Sequence, residues 1–336
     1  MAGTWKRANT DWFRDCRWGV FTHYLTKPET TADEWNRQVD AFDVKALANQ
    51  LASVGAPYYF ITLGQGSGHY CSPNETYDRI VGITPSKCSK RDLVSDLFEA
   101  LKPHGIRLMV YVPAEGSWGD HQARKGLKMT AHWSDDPKFD WQPGPHWAKY
   151  RLPEFQRLWE TVCRDWSLRF GKKIGGWWVD GAYAREQRYP DNEPPNLQTY
   201  AKALKAGNPD AIVAFNPGVK VPVICHSAYE DYTAGELSGD LPVGGWGLGD
   251  NPAFCGFGPI RRWVDGAQYH VLNFLGPFWC QSPPRFATEL VVGYTKYVGD
   301  HEGVVTWDVP IDTKGVIPAP FIEQLRAVKK AMEART

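Results

Sequence analysis

The sequence lacks any charge imbalance: 38 Lys and Arg face 38 Asp and Glu over 336 residues, so the net charge is zero. Such a chain has no broad electrostatic pull toward nucleic acid or an anionic membrane surface, and neither is expected as a partner. No stretch approaches the ~18 consecutive apolar residues that a spanning helix needs. The opening Met1-Ala2-Gly3-Thr4-Trp5-Lys6-Arg7 has no apolar core, so no signal peptide is expected in the sequence as it stands. Periplasmic, secreted and cytoplasmic locations all stay open. The cysteines, at 16, 71, 88, 163, 225, 255 and 280, are odd in number and form no C-x-x-C pair. Zinc-type ligand spacing is therefore missing. The thiols are read as buried, with a Cys71–Cys88 bridge as the alternative. Also missing are a phosphate loop, a dinucleotide fingerprint, an internal repeat and a linker. We expect no metal and no cofactor, and one domain over residues 1–336.

What is abundant is aromatic surface, 14% of the chain, including 16 Trp. Tryptophan fills cores, and it also stacks on the apolar faces of sugars. A neutral, Trp-rich chain leans toward carbohydrate.

The stretch Lys173–Tyr183 organises the rest. Ile174 to Val179 is an apolar run with two adjacent tryptophans, long enough for a buried strand and too short for a helix. Asp180 ends it and Gly181 breaks it. A buried strand that delivers a carboxylate to its C-terminal end is how barrels of parallel strands place catalytic groups. The alternative is that Asp180 caps the following turn.

Eight candidate strands alternate with helical patterns. The strands are Arg17–His23, Tyr58–Leu63, Ile106–Val112, Ile174–Asp180, Ala211–Asn216, a weak His226–Asp231, Tyr269–Leu275 and Gly303–Asp308. Helix faces are read near Phe42–Val54, Lys90–Leu101, Leu152–Phe170, Leu197–Lys205, Phe286–Val298 and Phe321–Met332. This alternation predicts an α/β fold, a single (β/α)8 TIM-type barrel, with long loops Pro113–Pro145 and Tyr232–Arg261 at its C-terminal face. Its competitor is an open doubly wound sheet.

In a barrel the strand ends converge on one mouth. They carry His23, Gln65, Glu115, Asp180, Asn216, Glu230, Asp231, Asn273, Trp307 and Asp308. Two carboxylates in an aromatic pocket suit glycoside hydrolysis, one attacking the anomeric centre and one protonating the leaving oxygen.

Four segments resemble the glycoside hydrolase family 29 α-L-fucosidases. Trp12–His23 is similar to that family's opening WFRDAKFGIFIHWG. Ser89–Val94 is similar to its KRDLV, and Trp177-Trp178-Val179-Asp180-Gly181 to its LWFDG. Gly303–Leu325 is similar to its closing LLLNIGPDADGTIP. The resemblance implies Asp180 as nucleophile. It also implies Glu236, in Tyr232-Thr233-Ala234-Gly235-Glu236, as the lead acid/base, with Glu230 and Asp231 as rivals. His23, Gln65, His69, Trp178, Asn216 and Trp307 become candidate sugar-binding residues. The chain departs from the family's pattern. Gly64-Gln65 stands where a His-His pair is usual, and nothing resembles the family's C-terminal β-sandwich. The expected activity is retaining hydrolysis of a fucosylated oligosaccharide or polysaccharide. Two alternatives are kept. One is an endo-acting or non-fucose hydrolase, with Trp118, Trp133 and Trp246 lining a cleft. The other is an inactive glycan-binding barrel.

Overall fold

The computed structural model describes residues 5–129, 151–245, 258–259 and 261–334. Seven strands form one parallel sheet: β1 (Trp18–Thr22), β2 (Tyr58–Thr62), β3 (Arg107–Pro113), β4 (Ile174–Asp180), β5 (Ile212–Phe215), β6 (His270–Phe274) and β7 (Val304–Asp308). Their order is β6-β7-β1-β2-β3-β4-β5, so the sheet curls until its two ends approach each other. Helices join consecutive strands that neighbour one another, as parallel pairing requires; among the described residues none lies between β5 and β6.

Side-chain alternation splits the core in two. Trp177 and Val179 face outward onto the helices, with Val20, Val110, Val213 and Val305 from the other strands. Trp178 faces inward with Phe21, Phe60, Tyr111, Ala214 and Leu272. A strand buried on both faces explains the unbroken apolar runs in the sequence. The N-terminal end of the interior is stoppered by Phe13, whose ring meets Tyr58, Tyr232 and His270 at 5.1, 5.0 and 5.4 Å.

Among the described residues, the short helices Asp11–Cys16 and Arg185–Arg188 were not read from the sequence, and neither were Ala32–Asp40, Glu75–Val81 and His121–Gly126. Local signals for the last three exist. Thr31 and Glu34 form a capping box, and Asn74 and Asp120 accept the backbone N–H groups of Tyr77 and Ala123.

The sixth of the eight expected strands, the weak His226–Asp231, is not a strand. The two edge strands β5 and β6 are joined instead through single backbone contacts with the segment 231–237. On the β5 side, Asp231 N–H donates to Val213 O at 2.7 Å. The strand's own donors, however, go to carboxylates: Val213 N–H to Asp231 Oδ2 (2.8 Å) and Phe215 N–H to Glu230 Oε2 (3.2 Å). Those side chains occupy the places that a ladder would give to backbone carbonyls. On the β6 side, Tyr232 and Glu236 form isolated parallel bridges with Gln268 and Leu272. Between them Gly235 has φ of +58°, which breaks the extended run, and a Cβ there would fall 1.9 Å from His270 O.

Candidate active site

The last inward-facing residue of several strands, or the next one in the same phase, reaches the C-terminal mouth. His23 follows Phe21, Asp180 follows Trp178, Asn216 follows Ala214, Glu236 follows Ala234, and Asp308 follows Thr306. A period of two carries all five side chains into one place.

Asp180 is fixed on both oxygens. Oδ1 accepts from Asn216 Nδ2 at 2.9 Å and from Gly181 N–H at 2.8 Å. Oδ2 accepts from the Tyr111 hydroxyl at 2.6 Å, which in turn accepts from Gln65 Nε2 at 2.7 Å. Asn216 is fully buried, and its Nδ2 also donates to Glu236 Oε2 at 2.6 Å. The bonded oxygens of Asp180 and Glu236 can therefore be no farther apart than those two distances laid end to end, 2.9 and 2.6 Å, or about 5.5 Å. That lies at the upper edge of the roughly 5–5.5 Å spacing of retaining glycosidases and short of the inverting range.

A pocket of about 280 Å³ opens over this pair. His23, Gln65, Tyr111, Asp180 and Glu236 supply its polar wall, and Trp178, Leu272, Phe278 and Trp279 its apolar one. Few polar groups in a mostly apolar concavity is the usual make-up of a small-molecule site.

Burial pushes the Glu236 carboxyl up, and the charge of Asp180 adds to it, to about 7, against the Asn216 hydrogen bond and the nearby His23. Two unit charges no more than ~5.5 Å apart at an effective dielectric of ~20 repel by about 3 kcal/mol or more, which favours the protonated form of Glu236. For His23, burial opposes the charged ring, but Asp308 outweighs it and lifts the imidazole to about 10. Its Nδ1 lies 2.8 Å from Asp308 Oδ1. Behind Asp180, Glu115 packs under Gly181, and Arg188 Nη1 bridges Glu115 Oε1 and Gly181 O, both at 3.0 Å. Burial pushes Glu115 up to about 8, with Arg188 pulling down and Asp180 pushing up.

Five residues named from the sequence line the pocket: His23, Gln65, Trp178, Asp180 and Glu236. Asn216 sits beneath it, in contact with both carboxylates. Four lie elsewhere. Glu230 is buried with its carboxylate on the N–H groups of Phe215 and His226. Asp231 accepts from Ala8 and Val213 and pairs with Lys205 at 2.6 Å. It precedes Glu236 by five residues and faces the β5 edge, not the pocket. His69 donates Nε2–H to Thr30 O at 2.9 Å and packs on Trp35, away from the pocket. Trp307 has the outward phase of β7 and gives its indole N–H to Thr295 at 2.9 Å. Its inward neighbour Asp308 orients His23 instead. Tyr111 was not singled out from the sequence, although Met109 and Tyr111 share the inward phase of β3. Asn273 donates to Asp240 O at 3.0 Å and shapes a loop. Cys71 and Cys88 are both free thiols. Trp118 covers Gly66, where a Cβ would fall 2.2 Å from the ring. Trp133 and Trp246 lie outside the described residues. Among the described residues no group of three or more His, Cys, Asp or Glu could hold a metal ion, and no helix is long and apolar enough to cross a membrane.

No family model matches the sequence, and no curated protein matches it. Solved structures do match. The endo-fucoidan hydrolase MfFcnA4 from glycoside hydrolase family 107 superposes with a TM-score of 0.70 at 14% identity, over 96% of this chain and 53% of that one. MfFcnA9 of the same family gives 0.69 at 16%, over 96% and 64%. The α-L-fucosidase AlfC, in complex with Fucα(1,6)GlcNAc, gives 0.63 at 15%, over 97% and 99%. This chain thus spans little more than half to two thirds of those endo-fucoidan hydrolases and nearly all of AlfC. At such identities the likeness is one of fold. The fold is shared with fucose-acting glycoside hydrolases of more than one kind, and it does not single out family 29.

Proposed function

We propose that this chain is a glycoside hydrolase acting on α-linked fucosyl or closely related glycans with retention of configuration. The observation that carries the reading is one buried amide, Asn216, bonded to two carboxylates in one pocket, which holds them within about 5.5 Å. Asp180 attacks the anomeric carbon, held in line by Asn216, Gly181 N–H and the Tyr111 hydroxyl. Glu236, pushed up to about 7, carries the proton that goes to the departing oxygen. It then takes a proton from the water that releases the sugar. His23, charged by its contact with Asp308, and Gln65 bind ring hydroxyls. Trp178, Leu272, Phe278 and Trp279 pack on apolar sugar faces. No cofactor enters these steps.

Support for fucose comes from the fold shared with endo-fucoidan hydrolases and an α-L-fucosidase. An endo-acting hydrolase of a fucose polymer is the second reading, favoured by the higher TM-scores of the family 107 structures. An inactive glycan-binding barrel fits less well, because it has no use for a second acid within reach of Asp180. The test is turnover of 4-nitrophenyl α-L-fucopyranoside, other aryl glycosides and fucosylated polymers, with NMR of the first-formed anomer. Hydrolysis that disappears in Asp180→Asn and yields the retained anomer is expected. Turnover unchanged in that variant, or an inverted first product, ends the reading.

A further inference from the structure

Although the chain has no net charge, four cations gather at the N-terminal end of β3 and β4. Lys102, Arg107, Lys172 and Lys173 line a cleft of about 410 Å³, whose wall also includes Trp12, Phe98 and Asp210. The topology brings them together. β3 and β4 run parallel with Leu108 in register with Ile174, so the turn entering one strand lies beside the turn entering the other.

Three of the four side chains are steadied without being neutralised. The Arg107 guanidinium lies 4.4 Å over the Trp12 ring, and the Lys102 ammonium 5.8 Å over Phe98. Lys173 Nζ donates to Ser95 Oγ at 2.8 Å. Ion pairs form elsewhere on the surface, as at Arg91–Asp96 and Arg185–Asp191, but among the described residues none of these four has a carboxylate partner. Four cations against the single carboxylate of Asp210 leave the concavity net positive, which focuses the field on an incoming anion. Both rings on the wall already carry a cation over a face, so they offer poor platforms for nucleic-acid bases.

We propose that this cleft anchors an acidic polysaccharide, with sulfate or carboxylate groups seated among Lys102, Arg107, Lys172 and Lys173. The choice of a glycan as the polymer rests on the hydrolase reading above; the anion site does not. Arg107 opens β3, and Pro113, its last residue, is in register with Asp180. Six residues of strand, roughly 20 Å, therefore separate cleft and pocket. A polymer held at one end of the sheet leaves the other end free, so the cleft acts as a tether and not as part of the substrate pocket.

The test is equilibrium binding of the full chain to dextran sulfate, polygalacturonate, uncharged dextran and a single-stranded oligonucleotide, at low and rising salt. At least one acidic polysaccharide is expected to bind, more weakly as salt rises, while uncharged dextran does not. Comparison of sulfate with carboxylate polymer identifies the preferred group. The exposed pair Lys102→Gln and Lys172→Gln together should weaken binding by about tenfold or more, since each lost contact removes released counter-ions. Circular dichroism of the double variant checks its fold. Binding of neither acidic polymer, unchanged binding in the double variant, or an oligonucleotide bound as tightly as the polysaccharide overturns the proposal. If no aryl glycoside is hydrolysed by parent or variant, the hydrolase reading fails alone, and the binding comparison still decides the cleft.

Discussion

Asp180 and Glu236 share one hydrogen-bond donor: Asn216 Nδ2 lies 2.9 Å from the first and 2.6 Å from the second. A single planar amide thus sets the spacing of the two acids, and its burial keeps water from replacing it. The proposed division of roles follows from surroundings. Asp180 accepts three hydrogen bonds, whereas Glu236 accepts one and is pushed up to about 7.

Asp180→Asn and Glu236→Gln should differ in kind. The first removes the proposed nucleophile and should abolish turnover of every substrate. The second should slow substrates with poor leaving groups by about 10²–10⁴-fold, the usual worth of general acid–base catalysis, and spare activated aryl glycosides in the first step. Added azide should restore turnover of an aryl glycoside in Glu236→Gln. Equal losses on good and poor leaving groups would remove Glu236 from the acid role.

With Glu236 as the acid, kcat/KM should fall as pH rises through about 7. Asn216 pulls that value down, so Asn216→Ala should move the alkaline limb upward. It should also cost about 1.5–3 kcal/mol of transition-state stabilisation, about 10–100-fold in rate. An alkaline limb that stays put in this variant, or that persists unchanged in Glu236→Gln, assigns the titration to another group.

His23 contributes to stability in the opposite pH direction. Its value rises from 6.5 to about 10 on folding, with burial opposing the charged ring and Asp308 outweighing it. The stabilisation is therefore complete below 6.5 and is lost as pH climbs through about 10. Thermal melts of the parent should lose stability across that window. Asp308→Asn should be less stable at pH 6 and lose less on going alkaline. Parallel parent and variant curves would show that the pair carries no such linkage.

Two buried histidines act at the acid end. Burial lowers His69 and His270 from 6.5 to about 4. Inside the sheet, His270 donates Nδ1–H to Thr233 O (2.9 Å) and accepts from Thr306 Oγ1 (2.7 Å). Folding therefore opposes protonation, and each site should withdraw up to roughly 3 kcal/mol of stability as pH falls from 6.5 toward 4. Urea melts of His270→Gln against parent over that range measure it. The variant should start weaker and decline less. Identical slopes would place the acid sensitivity elsewhere.

The sequence read alone exposed the seven strands and placed one pocket carboxylate, Asp180. Short, mostly apolar runs marked β1 to β7, because these strands are buried on both faces. Asp180 was legible because a carboxylate directly after such a run has to leave the sheet at its C-terminal end. The second acid was not legible in the same way. Glu230, Asp231 and Glu236 lie within seven residues, and all three are acids near a strand end. Only the folded chain separates them. The edge of β5 takes the first two as acceptors for its own N–H groups, and the turn at Gly235 delivers the third, with its isolated pairing to Leu272, into the mouth. The same holds for Trp307 and Asp308, adjacent in sequence and opposite in phase.

Chain order and residue type by themselves determined that parallel strands alternate with helices and that Asp180 ends one of them. Which side chains meet around it was decided by tertiary structure. Strand phase, register between neighbours and competition for unpaired backbone donors are properties of contacts between segments far apart in the chain, and no local pattern encodes them.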